Sequence, residues 1–370
     1  MPYVVLQDGS VFAGEPFGYW PSGDCACQGE VVFSTAMSGY QEMVTDLSFA
    51  GQILVFTQPQ IGNYGWHSEE SEAVKILVRG LVVRELSAGE GSLHAQDSLE
   101  DICRKQRICG LKKVDTRALT RHLRHYGTLY GVLATEAEAG LAYWRERNGD
   151  AAPEEPHWVY QATCREPYEI PGEGPLLAVL DFGIKYNILR LLSRRGFRLR
   201  VFPAGTKAEE ILACHPQGMV LSNGPGDPAG LPEIAANLAE LLPRLPILGI
   251  CLGHQMLAMA AGARTFKLPF GHRGGNHPVQ DLRTGRTTIT SQNHGYAVER
   301  ESLRGSGFAE AYRHLNDHTV EGLVHEHYPV LSIQFHPEGA PGPEENAVIL
   351  DDFVELLHAA HKEKEGDGRA

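Results

Sequence analysis

Several things are missing from this chain of 370 residues. It has no apolar run of 18 residues, so no segment reads as a transmembrane helix. Met1-Pro2-Tyr3 opens into a strand pattern without a basic or long apolar leader, which predicts no signal peptide. Dense Lys/Arg blocks are absent and the formal charge is −13, which argues against a nucleic-acid-binding surface or a membrane-binding one. Cysteine is sparse: seven residues (25, 27, 103, 109, 164, 214, 251), odd in number and scattered. That predicts reduced thiols and a cytoplasmic setting. Cys25-Ala26-Cys27 lacks a C-x-x-C spacing and a second matching pair, and the histidines of 272–277 and 325–327 fit no zinc pattern, so no metal site is expected. No internal repeat is visible. No G-x-x-x-x-G-K-[ST] phosphate loop occurs, so the chain shows no means of ATP chemistry and no cofactor of its own.

What is present suffices for two domains. Apolar residues make up 42% and charged residues 21%. Residues 1–150 read as mixed and β-rich. A hairpin is predicted from residues 3–6 and 11–13 around Asp8-Gly9, with further strands at 30–33, 52–56 and 80–83. A helix over 116–126 has Asp115 as N-cap and Gly127 as its stop. Prolines 153, 156, 167, 171 and 175 mark 151–175 as a linker. From 176 to 370 strands alternate with helices, which predicts α/β architecture: a doubly wound, mainly parallel sheet of flavodoxin-like type, ending in a helix with an apolar stripe at Leu350, Phe353, Val354 and Leu357. A polar tail follows from Lys362 and reads as frayed.

The sharpest signal is Gly249-Ile250-Cys251-Leu252-Gly253-His254-Gln255, between the apolar run 245–248 and a helical pattern. Strand, sharp turn and helix with a nucleophile at the bend is the elbow arrangement, with Cys in place of Ser. A thiol at a helix N-terminus meets unpaired N–H groups and a dipole that favour the thiolate. A thiol nucleophile needs a base, and the base an orienting group. Ser332-Ile333-Gln334-Phe335-His336-Pro337-Glu338 supplies both after the last strand, on the sheet edge where such groups collect. An oxyanion needs two donors: the Leu252 N–H in the elbow, and the Gly224 N–H in the loop Ser222-Asn223-Gly224-Pro225-Gly226-Asp227-Pro228.

These three motifs resemble those of the class I (triad) glutamine amidotransferase family over about residues 176–360. The resemblance implies hydrolysis of L-glutamine through a cysteinyl thioester, with Cys251, His336 and Glu338 as the triad. Glu30-Val31-Val32-Phe33, Met37-Ser38-Gly39-Tyr40-Gln41-Glu42, Thr45-Asp46, Ile61-Gly62-Asn63 and Val114-Asp115-Thr116-Arg117 are similar to the amino-terminal domain of the carbamoyl-phosphate synthetase small subunit. So are Asp181-Phe182-Gly183-Ile184-Lys185, residues 271–278 and Ser291-Gln292-Asn293-His294-Gly295-Tyr296. That resemblance implies that Ser48, Gly224, Gly226, Leu252, Gln255, Asn293, Gly295 and Tyr296 hold glutamine, with Tyr296 where the family often has Phe. His254 reads as supporting structure. The family also implies a large partner subunit in a heterodimer, docking largely on residues 1–150, that uses bicarbonate, ATP and Mg to make carbamoyl phosphate for pyrimidine and arginine synthesis. The alternatives are the glutaminase of another biosynthetic amidotransferase, a free-standing γ-glutamyl hydrolase, or a non-catalytic regulatory subunit.

Overall fold

The computed structural model describes residues 1–88, 95–147 and 157–367. They form two compact units: Met1–Trp158 with Pro269–Gly274, and Val159–Leu268 with Gly275–Ala370.

The first unit is built on an eight-stranded mixed sheet. Its centre is parallel, with Cys25–Ser34, Gln52–Phe56, Gly80–Val82 and Cys109–Lys112 side by side. Antiparallel strands complete both flanks, among them the predicted hairpin Tyr3–Leu6 and Val11–Ala13. One apolar layer includes Tyr40, Phe49, Phe56, Leu99 and Cys103, and another Val31, Ile53, Leu111, Leu119 and Leu123. The helix Thr116–Tyr126 forms as its spacing requires. Leu119 and Leu123 are buried, Asp115 Oδ1 accepts from the Ala118 N–H at 2.9 Å, and the chain leaves at Gly127 with φ 92°.

The second unit carries a ten-stranded sheet. Its parallel part runs Arg198–Pro203, Leu176–Asp181, Gly218–Leu221, Ile247–Ile250, Val330–Ile333. Helices Tyr186–Arg194, Pro232–Leu241, Leu252–Ala260 and Val348–Asp367 follow from the alternating pattern, and the Leu350, Phe353 and Leu357 stripe of the last is buried. The sheet extends antiparallel through Val320–His325, Phe308–His314 and Thr265–Asp281, with Thr287–Val298 beside the last of these.

Two expectations need correction. The proline-rich stretch is not linker throughout: Trp158–Ala162 is helical, and Tyr168–Ile170 pairs antiparallel with Arg198–Pro203 at the sheet's edge. Its prolines stand outside that short edge strand, where they remove no ladder bond. Residues 148–156, with Pro153 and Pro156, lie outside the described residues, as do 368–370 of the polar tail. The glycines of 271–278 suggest a tight loop, but the stretch lies within the 17-residue strand Thr265–Asp281.

Candidate active site

Register places the reactive groups. Ile250 and Ile333 are partners in parallel strands, so Cys251 and the segment Gln334–Glu338 emerge from the same rim of the sheet. The Cys251 N–H donates to Ile333 O at 2.8 Å. The His336 N–H donates to Ser291 O at 2.9 Å, tying this segment to the strand Thr287–Val298.

The elbow is sharp. Cys251 has φ 54° and ψ −104°, and no side chain caps the helix Leu252–Ala260 that starts there. A non-glycine residue at positive φ is strained by about 1–3 kcal/mol and persists only where its surroundings hold it. The two flanking glycines let those surroundings close in. A Cβ at Gly253 would lie 2.4 Å from Leu221 O, and one at Gly249 2.6 Å from Leu257 Cδ1. The thiol itself is buried and donates to Asn293 O at 3.7 Å.

His336 and Glu338 are each 1% exposed. His336 Nδ1 meets Glu338 Oε1 at 2.6 Å. The ring's Nε2 has no conventional hydrogen-bond partner among the described residues, and Cys251 lies close enough to favour the protonated ring. Burial opposes the imidazolium, but Glu338 and then Cys251 outweigh it, and the His336 pKa rises to about 10. Burial also opposes ionisation of Glu338, but Lys185 and then His336 prevail and bring it down to about 2.

Lys185 had no role assigned from sequence. It is almost fully buried, with Nζ 2.9 Å from Glu338 Oε1 and 2.7 Å from Gly339 O. Asn187 Nδ2 donates to Glu338 O at 2.7 Å. The turn after strand Leu176–Asp181 aims both residues inward. Asp181 Oδ1 accepts from the N–H groups of Gly183 and Ile184, each at 2.8 Å. Asn223 then staples this turn to the Gly/Pro loop: its Oδ1 accepts from the Lys185 N–H at 3.1 Å and its Nδ2 donates to Gly183 O at 3.1 Å.

Gly224 lies beside the elbow. A Cβ there would sit 2.9 Å from Leu252 Cδ2 and 2.5 Å from Phe182 O. Gly226 adopts φ 94°. Gln255 Nε2 donates to Tyr296 O at 2.8 Å and to Gln334 Oε1 at 2.9 Å. Asn293, Gly295 and Tyr296 share the strand whose Asn293 carbonyl faces the thiol. His254 is fully buried, its Nδ1 2.9 Å from Ser332 Oγ, and burial lowers its pKa to about 3. It is neutral packing behind the elbow. Ser48 belongs to the first unit. It sits buried in the short 3-10 turn Leu47–Phe49, and its N–H donates to Asp46 Oδ1 at 2.9 Å.

A cysteine elbow beside a His–Glu pair at the rim of the parallel part of a mixed sheet defines the class, and the family model for glutamine amidotransferase class-I matches residues 178–356. This is a glutamine-hydrolysing amidotransferase fold. The model for the carbamoyl-phosphate synthase small chain, CPSase domain, matches residues 4–133. Carbamoyl phosphate synthase small chains are similar nearly end to end. That of Symbiobacterium thermophilum is 48% identical, over 95% of this chain and 97% of its own. Those of Bacillus cereus and Listeria monocytogenes are 44% and 43% identical, covering 98% and 96% of this chain and 97% and 96% of theirs. The chain belongs to the carbamoyl phosphate synthase small chain family. No helix among the described residues is long and apolar enough to cross a membrane.

Proposed function

We propose that the chain releases ammonia from L-glutamine at Cys251 and supplies it to a larger ATP-dependent subunit that makes carbamoyl phosphate. The observation that carries this reading is the buried His336–Glu338 contact of 2.6 Å beside the strained Cys251 elbow. Cys251 Sγ passes its proton to His336 Nε2 and attacks the side-chain amide carbon of glutamine. The N–H groups of Leu252 and Gly224 receive the oxyanion. His336 returns the proton to the departing ammonia, then takes one from the water that hydrolyses the thioester, and glutamate leaves. Glu338 holds the imidazole with Nδ1 protonated, and Lys185 keeps Glu338 ionised. Gly226, Gln255, Asn293, Gly295 and Tyr296 orient the amino acid through backbone and amide groups.

The partner uses bicarbonate and ATP with Mg, in the cytoplasm, for pyrimidine and arginine synthesis. Ammonia stays a nucleophile only while unprotonated, so its route to the partner is dry. The test compares nitrogen sources in the reconstituted pair of chains. Cys251→Ser abolishes carbamoyl phosphate formation from glutamine and leaves formation from ammonium chloride intact. Equal output from glutamine with either chain would overturn the proposal.

A further inference from the structure

Cys25-Ala26-Cys27 and Cys109 take no part in glutamine chemistry. A β-bulge decides what these cysteines do. In the antiparallel pairing of Cys25–Ser34 with Leu129–Ala134, Cys27 opposes Leu133 while Cys25 opposes Ala134, so Ala26 is the extra residue. The bulge sends Cys25 into a small cluster with Val5, Val132 and Trp144, while Cys27 packs with the layer that contains Leu133 and Cys109. Cys103 lies in the remaining layer. The two sulfurs of the C-x-C motif are thus parted, and Cys27 is given to Cys109 instead.

In sheet order Cys27 and Cys109 are separated by the strands Gln52–Phe56 and Gly80–Val82. Their sulfurs nevertheless approach to 2.8 Å. They meet over Gly80, where the missing side chain leaves room: a Cβ at that position would stand 3.0 Å from Cys27 Sγ. A covalent S–S bond is about 2.05 Å, so little movement separates the pair from one. Cys27 is half-buried as a residue and Cys109 is buried.

We propose that Cys27 and Cys109 are an oxidisable pair that closes to a disulfide by exchange with a low-molecular-weight disulfide. Cys27 Sγ loses its proton, attacks one sulfur of oxidised glutathione and expels one glutathione thiolate. Cys109 Sγ loses its proton, attacks the Cys27 sulfur of the mixed disulfide and expels the second. One S–S bond forms in the protein and one is lost in the reagent, which gains two electrons and both protons. Burial, with Cys109 as the next cause, pushes the Cys27 thiol well up, so the exchange is slow and is followed over hours.

The test incubates the native full-length chain with oxidised glutathione, blocks free thiols under denaturing conditions and maps peptides by mass spectrometry. The expected result is a Cys27–Cys109 linked peptide, lost on treatment with dithiothreitol, absent in Cys109→Ala and retained in Cys25→Ser. Cys27 found joined to Cys25, held as a lasting glutathione adduct, or unmodified in the native chain would overturn it.

Discussion

Two helices of this molecule begin in opposite ways. At Thr116–Tyr126 the N-cap Asp115 has φ −72°, and its carboxylate accepts from the Ala118 N–H. At Leu252–Ala260 the residue in the same place is Cys251, with φ 54° and no side-chain cap. The first start satisfies, through its side chain, one of the orphan N–H groups that every helix leaves. The second gives up a side-chain cap and accepts strain at the residue that carries the thiol. Local rules are obeyed where only stability is at issue, and broken where chemistry is done.

That contrast can be broken at several points. The largest effect is expected at the nucleophile: Cys251→Ala lowers glutamate release from glutamine by at least about 10³-fold, measured with saturating glutamine. Next comes the buried ion pair. Lys185→Met removes one of the two cationic partners of the buried Glu338 and costs about 3 kcal/mol in denaturant unfolding. The same variant tests the pH dependence. Glu338 is held at about 2 in the folded chain against an ordinary 4.5. Between those values the unfolded chain binds a proton that the folded chain refuses, so this contribution is fully present above about pH 4.5 and is lost as pH falls toward 2. Lys185→Met raises the folded-state pKa and flattens the fall in Tm over that window. A strain test follows: Cys251→Gly is more stable than Cys251→Ala by about 1–3 kcal/mol, because glycine tolerates positive φ. An equal stability would show that the elbow stores no strain. Smallest is the ordinary cap. Asp115→Ala costs about 1 kcal/mol and leaves glutamine hydrolysis unchanged.

The same contrast explains what the sequence made legible. The elbow could be read because its peculiarity is local: an apolar run, glycines at 249 and 253, a thiol between them. His336 and Glu338 were legible for the same reason, being two residues apart after a strand. Lys185 was not, since its pairing with Glu338 spans over a hundred residues and depends on two loops leaving one rim. The strand Thr265–Asp281 was hidden by Pro269, Pro278 and glycines 271, 274 and 275, residues that ordinarily argue against an extended ladder. Phe308–His314 and Val320–His325 went unread because neither sustains the simple alternation of a half-buried strand: Ala311 and Tyr312 are both buried in the first, and Val320, Glu321, Gly322 and Leu323 are buried in succession in the second. The bulge at Ala26 left no mark in composition, because an extra residue in one strand shows only against its partner.

Lys185 and Glu338 are 3% and 0% exposed at their side chains. Counter-ions weaken surface attractions within about 8–10 Å of screening length, but a pair as buried as this one is screened far less. The orientation of the imidazole is therefore insulated from the ionic strength of the medium. The contact between His336 and Glu338 keeps its geometry whether the surrounding fluid is dilute or salty.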